Sequence, residues 1–186
     1  GEQRMLEITI PSTEYFDDRN NCFIQTKEQK LRLEHSLVSL SKWESKWHKP
    51  FLSVKSEKRT WEETVDYVRC MTITQNVDPD VYYTLTDDNI KQIEDYISNP
   101  MSATWFSNRN NSRPSREVVT AEIIYYWMIE LEIPFECEKW HLNKLMTLIR
   151  VCNEKNSGGK KMSKKDIYKQ NRALNSARKK KYNTRG

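Results

Sequence analysis

The sequence predicts a mainly α fold: a single helical domain, a small N-terminal β element of two or three short strands, and a basic C-terminal arm, helical or disordered. Three observations lead there. Only four Gly and six Pro in 186 residues leave long uninterrupted segments, which suit helices better than a many-turned sandwich. Six Trp, nine Tyr and five Phe argue against wholesale disorder, although the apolar share is only 37% and charged residues make up 31%. Most apolar periodic runs also open on helix-cap signals.

Gly1–Arg4 read as a non-native remnant ahead of Met5, the expected natural start. Met5–Ile10 alternates apolar and polar as a strand does. Tyr15–Phe16 and Cys22–Ile24 flank the turn-forming DDRNN, so residues 5–25 form the β element, too small to stand without helices. The predicted helical core spans residues 26–152. Its first helix covers Thr26–Lys49: Thr26 and Gln29 have capping-box spacing, Leu33, Leu37, Leu40 and Trp47 fall near one face, and Pro50 ends the run. Thr60 and Glu63 repeat the cap before a shorter helix through Met71. Asp78-Pro79 opens a single turn, and Thr86–Ser98 aligns Ile90, Ile93 and Ile97. Arg116–Leu131 is apolar nearly all round, as befits a central helix enclosed by its neighbours. Cys137–Cys152 supplies the last core helix. Residues 153–162 read as a linker and 163–186 as the arm, in which Ser163 and Asp166 again have cap spacing and Ile167, Leu174 and Ala177 form a thin apolar stripe.

The net charge of +5 is unevenly spread. Residues 153–186 hold twelve Lys or Arg against Glu154 and Asp166, a net +10, which leaves −5 on residues 1–152. Cys22, Cys70, Cys137 and Cys152 lie far apart without a leader-like stretch, and read as reduced thiols in a cytoplasm. No run approaches the roughly 20 apolar residues that span a bilayer, so no membrane partner is expected.

Reactive chemistry finds little support. Cys137 and His141 at i and i+4 could seat two metal ligands, but a structural site needs about four, and His35 and His48 fall on a different predicted helix. As nucleophile and base, the same pair has no oxyanion hole to serve. Glu62-Glu63 and Asp87-Asp88 sit at helix starts, where they complement the macrodipole. Phosphate-binding, dinucleotide, zincin and hydrolase motifs do not occur. An enzyme is not expected, nor a cofactor or metal. Trp43 and Trp47, one turn apart, could form a ridge for an apolar partner. Trp43 is the candidate because it falls off the Leu33/Leu37/Leu40 stripe.

For the arm, three roles compete. Ten net charges would grip nucleic acid by counterion release, yet Tyr168 and Tyr182 alone make a poor stacking platform. A purely solubilising tail needs no apolar stripe. Protein docking ranks first, through Ile167, Leu174, Arg178, Lys179, Lys180 and Lys181; nucleic acid ranks second and an inert tail third.

The stretch LRLEHSLVSLSKWESKWHKPFL (Leu31–Leu52) resembles the tail assembly chaperones encoded beside the tape-measure gene in long-tailed bacteriophages of Gram-positive hosts. The likeness extends through WEETVDYVRCMT, Thr120–Asn153 and KMSKKDIYKQNRALNSARKKK, and so covers nearly all of Met5–Gly186. The resemblance implies a protein of the infected host's cytoplasm, absent or scarce in the mature virion. It implies binding to the tape-measure protein, a long helical rod kept soluble until the tail tube polymerises around it. It also implies self-association or a longer frameshifted product, and no catalytic residues. The competing expectations are a nucleic-acid-binding accessory protein and a minor head–tail component of the virion.

Overall fold

The computed structural model describes residues 5–53, 58–106, 117–157 and Arg172. Within them the chain is mainly α with a small β element. The strands are β1 (Leu6–Ile10), β2 (Thr13–Asp17), β3 (Cys22–Thr26) and β4 (Gln29–Leu33). The helices are α1 (Leu37–Trp47), α2 (Trp61–Met71), α3 (Asp87–Ser98), α4 (Ala121–Glu130) and α5 (Leu142–Ser157), with 3-10 turns at Pro79–Thr84 and Phe135–Lys139. The chain divides into two compact units, and the boundary falls inside α5, between Arg150 and Val151.

The β element has four strands rather than two or three. β1 pairs with β4 from Leu6↔Leu33 to Ile10↔Gln29, and β2 with β3 from Thr13↔Thr26 to Asp17↔Cys22. Both registers lie on one continuous hairpin, interrupted where Pro11 cannot donate to a ladder. At the tip, Asp17 Oδ1 accepts from the Arg19 N–H at 2.9 Å and Asn21 takes a left-handed φ of 51°, which asparagine tolerates. Near the base, Ile8, Ile10, Leu31 and Leu33 are buried, while Glu7, Thr9, Lys30 and Arg32 face outward.

The predicted Thr26–Lys49 helix is therefore half strand. Gln29–Leu33 (QKLRL) alternates with the period of a strand, and burying Leu31 and Leu33 against β1 outweighs the apparent cap at Thr26. The working cap is Ser36, whose box closes on Ser39. Thr60–Glu63 does cap α2, Thr86 caps α3 through Asn89, and Asp78 caps the Pro79 turn. A short antiparallel bridge lays Thr72 beside Leu33, with Ile73 N–H donating to Arg32 O at 2.9 Å, so the chain after α2 covers the outer edge of β4.

α1 packs on α2 and α4, and α3 lies against β1. Trp43 is fully buried, so it is a core anchor and not a partner-binding ridge. Its indole N–H donates to Glu63 O at 2.9 Å, and its ring meets Phe51 edge-on at 5.1 Å. Two further expectations are corrected. α4 starts at Ala121, and only one face is enclosed: Ala121, Ile124 and Met128 are buried, whereas Tyr126 and Ile129 are exposed. Thr120 makes no side-chain cap bond there. Glu44 of α1 supplies the acceptor instead, Oε2 taking the Ala121 N–H at 2.8 Å and Oε1 the Phe51 N–H at 2.9 Å. The last core helix begins at Leu142, because Pro134 and the 3-10 turn hold residues 135–139 outside it, and it continues through residues 153–157, expected as linker.

Candidate protein-binding cleft

An open cleft of about 630 Å³ lies where the end of α3, the extended segment after it and the start of α5 converge. Met5, Met101 and Trp140 form the apolar part of its lining, and Glu34, Asn99, Ser102, Lys139, His141 and Lys144 contribute a polar part. Asn143 ties the parts together: its Nδ2 donates to both Ile97 O and Asn99 O at 2.8 Å, satisfying carbonyls left over at the end of α3. Met101 has φ 49°, a left-handed conformation that is costly for a side chain of its bulk. The Asn99 Oδ1, accepting from Met101 N–H at 2.8 Å, holds it there. Lys144 Nζ lies 4.6 Å from the centre of the Trp140 ring, so a cation covers part of that aromatic wall.

Behind the cleft sits a buried polar cluster. His141 Nε2 donates to Tyr96 O at 2.9 Å while its Nδ1 accepts from Asn143 N–H at 3.2 Å. Those partners require the neutral tautomer protonated at Nε2. His35, between β4 and α1, packs edge-on to His141 at 5.1 Å and bonds Tyr67 Oη through Nδ1 at 2.6 Å. Its backbone N–H donates to Tyr96 Oη, and its carbonyl accepts from Leu142 N–H at 2.8 Å. Three segments distant in sequence are thus pinned behind the cleft.

Burial, with His141 and Arg59 nearby, holds the His35 imidazole down at about 3, and burial lowers His141 as well. A lowered folded-state value means that the unfolded chain takes up protons first as pH falls. Stability is therefore complete above the ordinary histidine value of about 6.5 and is lost progressively from there toward pH 3. Between pH 7 and pH 5, His35 alone is expected to remove about 2 kcal/mol. Urea titrations at the two pH values should show this loss, and His35→Gln should flatten the dependence. A wild-type curve with no loss over that interval would contradict the buried neutral assignment.

The Cys137–His141 pair, of which neither metal binding nor nucleophile-and-base chemistry is expected, lacks the shared helical face that its i, i+4 spacing assumes. Cys137 lies in the 3-10 turn and His141 ahead of α5, not on one helix, and burial pushes the Cys137 thiol up, away from thiolate character. Among the described residues, no three His, Cys, Asp or Glu side chains are grouped to hold a metal ion, and no helix is long and apolar enough to cross a membrane. Glu62-Glu63 and Asp87-Asp88 occupy the first turns of α2 and α3. Of the expected partner-binding residues, Trp43 is core, while Ile167, Leu174, Arg178, Lys179, Lys180 and Lys181 lie outside the described residues. The cleft itself has no local sequence signature: Met5, Met101 and Trp140 meet only through the tertiary fold. No protein family model, curated protein or solved structure matches this chain.

Proposed function

We propose that this chain is a non-catalytic phage tail assembly chaperone: a helical body that receives an amphipathic helix of the tape-measure protein in the Met5/Met101/Trp140 cleft, with a basic arm beyond it. The observation that carries the reading is the chemistry of that cleft. Methionine adapts its shape, so a wall with two of them suits many similar but non-identical apolar stripes, as a long helical rod would present in succession. Lys139, Lys144 and Glu34 at the same cleft offer both signs of charge to the polar flanks of such a helix. The fit to tail assembly chaperones rests on the sequence resemblance, and the work would be done in the host cytoplasm before the virion is complete.

The test is co-expression with the tape-measure protein that this reading expects to be encoded beside it. Met101→Glu and Trp140→Ala are each expected to reduce soluble tape-measure protein several-fold while the variant itself keeps its far-ultraviolet spectrum and cooperative melt. Unchanged tape-measure solubility with both variants would exclude the cleft as the receiving site. Recovery of the chain from purified particles at the stoichiometry of a connector would exclude a chaperone.

A further inference from the structure

The outward face of α4 is the second feature that its surroundings leave unexplained. Tyr126 is 53% exposed and Ile129 62%, on one stripe with the exposed Glu122 and Glu130. Phe135, 57% exposed, extends the apolar surface past the end of the helix, its ring 6.4 Å from that of Tyr125. The charge here is of one sign. Residues 118–138 contain Glu122, Glu130, Glu132, Glu136 and Glu138 and no Lys, Arg or His. Their −5 equals the entire net charge of residues 1–152, so the remainder of that part is neutral. Among the described residues none of these five carboxylates enters an ion pair. Two are held by aromatic hydroxyls instead, Tyr125 Oη donating to Glu138 at 2.7 Å and Tyr126 Oη to Glu130 at 2.9 Å.

We propose that this face docks the basic segment 160–181 of a second copy of the chain. That segment has ten Lys or Arg against Asp166 alone, a net +9, with Ile167 and Leu174 seven residues apart. The complement is twofold. Its cations match the Glu122–Glu138 carboxylates, and two aliphatic side chains suit a narrow apolar strip made by Tyr126, Ile129 and Phe135. Nucleic acid would neutralise the segment but would be repelled by the α4 face and leave its apolar strip uncovered. Only a partner carrying both positive charge and apolar side chains answers both features. Each copy bears one face and one segment, so the contact is heterologous and repeats from copy to copy. It is independent of what occupies the cleft.

The experiment uses the full chain alone, treated with nuclease. Sedimentation velocity over a wide concentration range should show growth beyond the monomer at low salt and reversal at high salt. Three double variants, Tyr126→Ser with Ile129→Ser, Glu122→Gln with Glu130→Gln, and Ile167→Asp with Leu174→Asp, should each weaken association about tenfold or more. The glutamine pair keeps size and shape, and it should retain the far-ultraviolet spectrum and cooperative melt of the wild type, which separates lost docking from lost folding. A synthetic peptide of residues 160–181 should compete with assembly of the wild type and bind the glutamine pair less well. A chain that stays monomeric at every concentration, or association that survives the α4 variants, overturns the proposal. So does assembly that the nuclease abolishes.

Discussion

Replacing Trp43 with alanine is expected to lower folding stability by about 4 kcal/mol, the ordinary cost of emptying a fully enclosed tryptophan site. The ring fills the space between α1, Phe51 and α2, and its N–H occupies the Glu63 carbonyl, so neither the volume nor the acceptor has a substitute close by. Trp43→Phe separates the contributions, restoring most of the packing while leaving the indole hydrogen bond unmade, and should cost about 1 to 3 kcal/mol. Urea unfolding followed by tryptophan-independent circular dichroism measures both. A Trp43→Ala protein with wild-type stability and impaired partner binding would return this residue to the surface role that its sequence position suggested.

Glu44→Ala is expected to be nearly as damaging, at about 3 to 5 kcal/mol. One carboxylate accepts two backbone N–H groups from different parts of the chain, Phe51 after α1 and Ala121 at the first turn of α4. Without it, both donors are left in a buried setting that costs about 1 to 3 kcal/mol for each. The favourable placement of a negative charge at the start of α4 goes as well. Glu44→Gln keeps a single acceptor oxygen and should fall between wild type and Glu44→Ala. Equal stability of all three proteins by denaturant titration would mean that Glu44 does not fasten α4 to α1.

What could be read in the sequence was what depended on near neighbours. Thr60 with Glu63 and Asp78 with Pro79 satisfy helix starts within three residues, and those starts stand where they were expected. Gln29–Leu33 went astray because Leu33, Leu37 and Leu40 keep helical spacing across a real boundary, with a strand ending at the first and a helix starting at the second. Trp43 falls off that mixed stripe, and so its sequence position points to the periphery although the side chain is buried. α4 looked enclosed because its composition is apolar; which of those side chains are covered depends on α1, and Tyr126 and Ile129 lie on the side that is not. The His35–His141 contact and the cleft before it join residues from opposite ends of the chain. No local period encodes such a meeting.

The single register shared by β1–β4 and β2–β3 also bears on how the chain reaches this fold. Leu6 and Leu33 are far apart along the chain, and closing so long a loop in one step would be slow and entropically costly. Here the Asp17–Cys22 tip can close first, and each further pair adds to one already formed, from Thr13↔Thr26 across the Pro11 interruption to Leu6↔Leu33. The ribbon works as a zipper whose last teeth are Ile8, Ile10, Leu31 and Leu33, all buried, with α3 packed against the strand that carries the first two. The exposed outer half, with little core of its own, thereby offers a short route by which the buried half can be brought into register.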